Sequence, residues 1–277
     1  MSHIDGVLDD GFGFGFPVKG REIDAVVLFA DISGFSTRTL DMSPTETLVY
    51  VQNFFAWITA EALHGRPGIV DKYIGDEIMV VFSTEFGSAD PFADAVQAAA
   101  AMIRRDVHSY HPHIGIASGP VIVGYAGTAM HYNVSVFGAP VALAARCAGV
   151  PPEVPEGQVI STSIVFPEVD WAGRDLDGIL PMRRSLLEDG TEYDEPREFE
   201  LQAPREVTLK GVGNVSVREI FSTDFWFPGQ SAEARARESV AFLHRSGRYW
   251  PRWDRDLTAD GRTEDSPPSA EGVNPRD

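Results

Sequence analysis

Two aspartates stand out by where they sit. Asp31 follows a continuous apolar run, Ala25-Val-Val-Leu-Phe-Ala30, and opens the stretch Asp31-Ile-Ser-Gly-Phe-Ser36. A carboxylate at the end of a buried strand is costly unless a cation or hydrogen bonds compensate it. The residues after it, Gly34 among them, predict a tight turn whose backbone N–H groups could face a phosphate. Asp76 lies in Lys72-Tyr-Ile-Gly75-Asp76-Glu77, where Gly75 permits a turn. If the strands flanking these two positions are sheet neighbours, the carboxylates meet at adjacent strand ends, a site for paired hard cations. Taken singly, each aspartate is also what an ordinary solvated turn contains.

Three further features could carry chemistry, and each has a plainer reading. His108, His111 and His113 are close enough in sequence to suggest a metal cluster. Pro112 stiffens the segment and His113 enters a strand, so nothing orients three imidazoles to one side. Cys147 is the single cysteine, which excludes an internal disulfide and any cysteine-rich zinc site. The alternation Gly11-Phe-Gly-Phe-Gly-Phe16-Pro17 neither follows a strand nor opens a helix, as a phosphate loop should, and reads as an N-terminal arm over residues 1–22.

The elements that must position the aspartates follow from periodicity. Ser43-Pro44-Thr45-Glu46 supplies an N-cap with proline at the first helical position, and Leu48, Val51, Phe54, Phe55, Ile58 and Leu63 repeat at helical spacing. Ile69–Ile74 and Ile78–Phe82 read as a hairpin through Gly75-Asp76-Glu77. A second helix is expected over Pro91–Arg105. Ile114–Ala117 and Val121–Tyr125 read as a strand pair turning at Ser118-Gly119-Pro120, and Gly138–Ala148 as a short helix. Val207–Gly213 with Val215–Phe221 closes the series as another hairpin. The order strand, helix, two strands, helix, two strands predicts an α+β, ferredoxin-like split βαβ domain over residues 23–221, with a mostly antiparallel sheet and helices on one face. Between the last two pieces, Glu188–Glu200 carries seven acidic residues and reads as a solvated loop.

Composition narrows the function. The 277 residues hold 41 Asp and Glu against 23 Lys and Arg, a formal charge of −18. That argues against a phosphate-backbone binder, hence no nucleic-acid partner. It leaves a nucleotide enzyme open, since bound cations can supply local positive charge. There is no basic region followed by an apolar run at the start and no stretch of roughly 18 apolar residues, so no membrane partner and a cytoplasmic location are expected. Trp226, Trp250 and Trp253 lie among arginines in residues 222–255, which predicts a segment docked on the domain or on a partner. Residues 256–277 are rich in Pro, Ser, Gly and acid and read as disordered.

Taken together, five motifs in order resemble the catalytic domain of class III nucleotidyl cyclases. They are Phe29-Ala-Asp-Ile-Ser-Gly-Phe35, Lys72-Tyr-Ile-Gly-Asp-Glu77, Ile114-Gly-Ile-Ala-Ser-Gly-Pro-Val121, Phe137-Gly138 leading to Ala144-Ala-Arg146, and Leu209-Lys-Gly211. The resemblance implies a head-to-tail homodimer with two interfacial sites that convert a nucleoside triphosphate to a 3′,5′-cyclic monophosphate and pyrophosphate. By the same resemblance Asp31 and Asp76, with the Ile32 carbonyl, match the ligands of two Mg²⁺ or Mn²⁺ ions. The amides of Ser33, Gly34, Phe35 and Ser36 would meet the phosphates. Arg146 matches the transition-state arginine and Lys210 the lysine on the terminal phosphates, both from the other protomer.

Two positions depart from the usual pattern. Ala142 replaces the ribose-orienting asparagine, and Ser135 stands at a base-contact position where many adenylyl cyclases carry aspartate. Lys72 holds the other base-reading position; a lysine only donates, which disfavours GTP. Tyr50, Tyr73 and Phe137 are candidates to narrow the pocket towards a single ring. Compact bacterial cyclases of this kind resemble the pyrimidine cyclases of Pycsar anti-phage defence, which implies cyclic UMP or cyclic CMP as product and a separate effector protein as its receiver; UTP is the expected substrate because a lysine donor suits its two carbonyls. The alternatives are an adenylate cyclase, a cytidylate cyclase, or a catalytically dead nucleotide-binding or dimerisation module.

Overall fold

The computed structural model describes residues 20–104, 106, 110–128, 131–153, 162–181, 184–186, 192–194, 198–222 and 232–245. Helices are α1 (Phe35–Thr39), α2 (Pro44–Leu63), α3 (Pro91–Arg104), α4 (Ala139–Ala148), α5 (Leu176–Ile179) and α6 (Ala232–Arg245). The main sheet runs β10 (Arg205–Leu209), β11 (Gly213–Ser222), β6 (Ser163–Pro167), β4 (His113–Thr128), β1 (Gly20–Asp31), β3 (Glu77–Phe82) and β2 (Gly68–Ile74). To this path β5 (His131–Phe137) adds on β4 and β9 (Phe199–Leu201) on β11, while β7 (Arg184–Leu186) and β8 (Glu192–Asp194) pair separately. The β4–β6 pairing is parallel and the others are antiparallel.

Apolar alternation along β1 divides the core in two. Val26, Leu28 and Ala30 face α2 and α3, joined by Phe54, Ile58, Phe92 and Met102. Ala25, Val27 and Phe29 face the other way, where Ala144 and Ala148 of α4 cover them. Helices therefore lie on both faces, not one. The reason is Gly115: a Cβ there would fall 2.0 Å from the Ala144 carbonyl oxygen and 2.2 Å from the Ala148 nitrogen. Only a bare backbone lets α4 lie this close to β4, and the alanine-rich helix completes the fit.

The start of α2 is as its sequence predicts. Ser43 Oγ accepts the Glu46 N–H at 3.3 Å, and Glu46 Oε2 accepts the Ser43 N–H at 2.8 Å, a reciprocal cap following which Pro44 opens the helix.

The expected turn at Ser118-Gly119-Pro120 is not one. β4 continues through it, paired with β1 from His113↔Asp31 to Gly124↔Gly20. The punctuation marks a bend instead. Gly119 takes φ 145°, the Asp170 carboxylate accepts the Ser118 N–H at 2.9 Å, and Ile23, Val121, Val123 and Val136 beyond the bend share a core with Phe29 and Met79. The ribbon of β1, β4 and β5 thus curls back over the α4 face.

Elsewhere the structure adds to the expectations or shifts them. β1 begins at Gly20, so the last residues of the expected arm are strand. β6, with all five residues buried, was not anticipated, and the acidic stretch contains β8 and the start of β9. The Trp/Arg-rich segment holds α6, which packs on α2: Ala236 is fully buried and Arg237 Nε lies 3.5 Å from Glu46 Oε1. Trp226, Trp250, Trp253 and residues 256–277 lie outside the described residues.

Candidate active site

Asp31 ends β1, and Asp76 sits in the turn between β2 and β3. Because β1 pairs with β3 through Ala30↔Ile78, the two carboxylates do meet at neighbouring strand ends. Gly75 makes the turn with φ 63°. The Asp76 carboxylate accepts the Ile32 N–H, which ties the hairpin tip to the loop that follows β1.

The negative charge here is only partly offset. Burial is the main cause that pushes the Asp31 pKa from its ordinary 3.8 up to about 7, with the charges of Asp76 and Glu77 adding to it. Hydrogen bonds from its own N–H and that of His113 pull the other way. Burial also raises Asp76 and Glu77. Asp31 Oδ1 is buried with no hydrogen-bond partner among the described residues. Glu77, quoted in the motif but given no role, is thus a third carboxylate at the site.

An orphaned buried carboxylate oxygen beside a second carboxylate is a hard, all-oxygen donor set, and it fits Mg²⁺ or Mn²⁺. Ile32 is buried and its carbonyl accepts the Phe35 N–H at 3.2 Å, which leaves one lone pair for a further contact. Among the described residues no group of three or more His, Cys, Asp or Glu forms a metal cluster. His111 and His113 are described and belong to no such group; His108 lies outside. Remaining ligands would therefore come from phosphate and water.

The loop Ser33–Ser36 follows directly, turning at Gly34 with φ 65° into α1. Its amides are not all outward. The Phe35 N–H is used by Ile32, and the Phe35 ring stacks on Tyr50 with centroids 6.3 Å apart. Tyr50 is fully buried on the α2 face, between Phe35 and Tyr110, and its hydroxyl accepts from Arg38 Nη1 at 3.1 Å. It supports the Ser33–Ser36 loop from behind. Lys72 is on the opposite face, in register with Met79 of the α4-side core. Tyr73 also turns away, with its ring 4.3 Å from Phe55 and its hydroxyl 2.8 Å from Thr59 Oγ1 of α2. Of the three rings considered for narrowing the pocket, Phe137 alone is beside Lys72, whose Nζ lies 5.6 Å from its centroid.

Lys72 and Ser135 are brought together by the curled ribbon. Ser135 is buried and donates to Asp71 Oδ2 at 2.7 Å; Lys72 Nζ lies 3.2 Å from the same oxygen. Asp71 was missed in the sequence. The signal was there as a carboxylate breaking the apolar run Ile69-Val70, at what proves to be an irregularity in the β2–β3 register between Val70 and Lys72.

Arg146 is exposed in the last turn of α4, with Ala142 exposed one turn before it. Its charge opposes the upward shift of Glu77 within the same chain. Lys210 is elsewhere, exposed at the tip of the β10–β11 hairpin. Four strand spacings of about 4.8 Å separate β10 from β1, and the tip lies at the opposite end of the strands from Asp31. Lys210 cannot serve Asp31 of its own chain. Cys147 is buried with Val165 and Val217, and burial pushes its thiol up to about 12, as a core residue requires.

Comparison with known proteins agrees with this geometry. Residues 18–154 match the family model described as the adenylate and guanylate cyclase catalytic domain. Two uncharacterized proteins of Mycobacterium tuberculosis, Rv1319c and Rv1320c, are 31% and 33% identical over 131 residues, 46% of this chain. The chain spans about a quarter of the length of these curated relatives, 24% and 23%. Among solved structures, the guanylyl cyclase Cya2 superposes with a TM-score of 0.51 at 20% identity, covering 73% of this chain and 92% of that one. The guanylate cyclase domain of RhGC from Catenaria anguillulae, solved in complex with GTP, gives 0.52 at 17% identity over 74% of this chain and 100% of its own. These similarities are of fold. The match over residues 18–154 is to the nucleotide cyclase catalytic domain, and the two solved cyclases share the fold of this chain.

Proposed function

We propose that this chain is a nucleotide cyclase that closes the ribose 3′-oxygen onto the α-phosphorus of a nucleoside triphosphate, with UTP the preferred substrate. The observation that carries the reading is the pair Asp31 and Asp76, meeting at strand ends with a buried oxygen that has no partner among the described residues. Asp31, Asp76 and the Ile32 carbonyl would hold two Mg²⁺ or Mn²⁺ ions, which when bound neutralise the triphosphate and acidify the 3′-hydroxyl.

In the reaction the 3′-O–P bond forms, the bond from that phosphorus to pyrophosphate breaks, and the hydroxyl proton passes to water. The Ser33–Ser36 loop, braced by Tyr50 under Phe35, would hold the phosphates. Arg146 would meet the charge that develops on the α-phosphate. Lys210 would hold the leaving phosphates from a second copy of the chain, because it lies diagonally across the sheet from Asp31; the working unit is then a head-to-tail homodimer.

For the base, Lys72 donates and Ser135 accepts. Uracil offers O4 to the first and N3–H to the second, and Phe137 beside Lys72 supplies a ring face of single-ring size. A cyclic pyrimidine nucleotide released in this way would act as a second messenger for a separate effector protein, as the resemblance to anti-phage pyrimidine cyclases suggests. The test is to incubate purified protein with Mn²⁺ and each of the four ribonucleoside triphosphates and to identify the products. Cyclic UMP as the main product is expected. Faster turnover of ATP than of UTP overturns the substrate, and no cyclic product from any of the four overturns the cyclase activity.

A further inference from the structure

The base end of the cleft contains a buried carboxylate that the cyclisation chemistry does not use. Asp71 sits where the β2–β3 register slips, with its side chain wholly inaccessible. One oxygen, Oδ2, accepts the Ser135 hydroxyl proton at 2.7 Å and lies 3.2 Å from Lys72 Nζ. The other, Oδ1, is buried with no partner among the described residues. A wholly buried carboxylate is costly even when it is paired, so its retention between these two side chains needs a reason.

Its effect on Ser135 supplies one. A serine hydroxyl has one proton and two lone pairs, and its rotor ordinarily turns to suit whatever it meets. Here that proton is committed to Asp71 by a charge-assisted hydrogen bond, roughly twice as strong as a neutral one. Ser135 can then face the base with lone pairs alone. The same carboxylate holds Lys72, an otherwise flexible donor, beside the Phe137 ring.

We propose that Asp71 is the positioning residue for base selection. It fixes Ser135 as an obligate acceptor and Lys72 as a localised donor, so that the cleft presents one fixed donor–acceptor pair to the base. This rests on the reading of Lys72 and Ser135 as base-facing. Without Asp71 the serine is free to donate or accept, and the lysine to swing, so base discrimination relaxes while the grip on the triphosphate is untouched.

The experiment uses the whole chain and the near-isosteric Asp71→Asn, with Ser135→Ala and the double variant, and measures binding of UTP, CTP, ATP and GTP with Mn²⁺ by calorimetry alongside turnover. An amide cannot balance Lys72 and can donate to Ser135 as well as accept from it. We expect Asp71→Asn to compress the affinity ratio between the best and worst base by about tenfold, a 1.4 kcal/mol effect. The inhibition constant of inorganic tripolyphosphate should stay within about twofold, and the double variant should be no worse than the more impaired single one. A merely structural role would weaken all four nucleotides and tripolyphosphate together and lower Tm. An unchanged ratio, or a uniform loss, overturns the proposal. Absence of turnover by the unmodified protein would overturn the cyclase reading instead, with the affinity ratio still deciding the role of Asp71.

Discussion

The two ends of the cleft solve the same electrostatic problem in opposite ways. Each places an aspartate with a buried Oδ1 that has no partner among the described residues. At the base end, Asp71 is balanced by Lys72 and bonded by Ser135, all from one chain. At the phosphate end, Asp31, Asp76 and Glu77 stand together, and the charge of Arg146 reaches Glu77. On the function proposed above, the difference separates recognition from chemistry. A surface that must discriminate bases is organised before the substrate arrives. A surface that would hold cations and triphosphate carries excess negative charge, which those ligands would relieve further.

The largest effect expected from breaking this contrast is on turnover. Asp31→Ala or Asp76→Ala should lower kcat by about 10³-fold or more while the protein stays folded, since each removes a carboxylate at a strand end and not apolar packing from the core. Circular dichroism and a product assay on the same sample check both halves. Near-normal turnover in either variant would remove the phosphate end from the comparison.

Next comes the ownership of the groups. Equimolar Asp31→Ala and Lys210→Ala chains, allowed to exchange, form mixed dimers in half the cases, and one of the two sites in each is intact. Recovery of up to about a quarter of the original activity is expected. The same mixture made with Arg146→Ala asks whether that arginine, which already acts on Glu77 of its own chain, also serves across the interface. No recovery with Lys210→Ala, once exchange is demonstrated, would place the site within one chain despite the diagonal separation.

Tyr50→Ala sharpens the contrast from the side of stability. It empties a fully buried position between Phe35 and Tyr110 and should destabilise the domain by about 3–5 kcal/mol, read as a drop in the urea midpoint. Among molecules that remain folded, the base preference should not move, because Tyr50 is on the far face of the sheet from Lys72. A changed preference would return Tyr50 to the base pocket.

The smallest effect is a pH signature. Folded Asp31 keeps a proton up to about pH 7 that the unfolded chain releases near pH 4, so stability falls as pH rises through that window and the full penalty remains above it. Asp31→Asn carries no such penalty. Without divalent cations it should raise Tm at pH 8 by about 2–4 °C and change it little at pH 4. Equal melting of the two proteins at pH 8 would mean that the charge is already compensated.

How much of this could be read in advance depends on what each residue had to reveal. Asp31 and Asp76 were legible because apolar runs and Gly75 fix where strands end, and the ends then bring the carboxylates together. The N-cap of α2 before Pro44 was legible because it is local. Ser118-Gly119-Pro120 misled, since the residues that make a turn also make a bend, and only the pairing of β4 with β1 decides between them. Tyr50 misled because a helix shows its apolar positions without saying which face of the sheet they reach. Asp71 stayed hidden because its partner Ser135 is 64 residues away and meets it only after the ribbon curls back.

That curl makes β4 a single rigid gauge for the whole cleft. At one end His113 pairs with Asp31; beyond the bend Gly124 pairs with Ser135. The span between the phosphate end and the base end is therefore set by a count of peptide units between two anchors, with the bend pinned by Asp170 and with α4 seated on Gly115. Inserting or deleting residues in that stretch would change the length of nucleotide the cleft can span without touching any group that contacts it. Lengthening a side chain at the bend would do the same by altering the angle. On the proposed function, substrate size is to that extent a property of a strand, held as a distance, while substrate identity would be held as hydrogen-bond polarity by three side chains gathered near its far end.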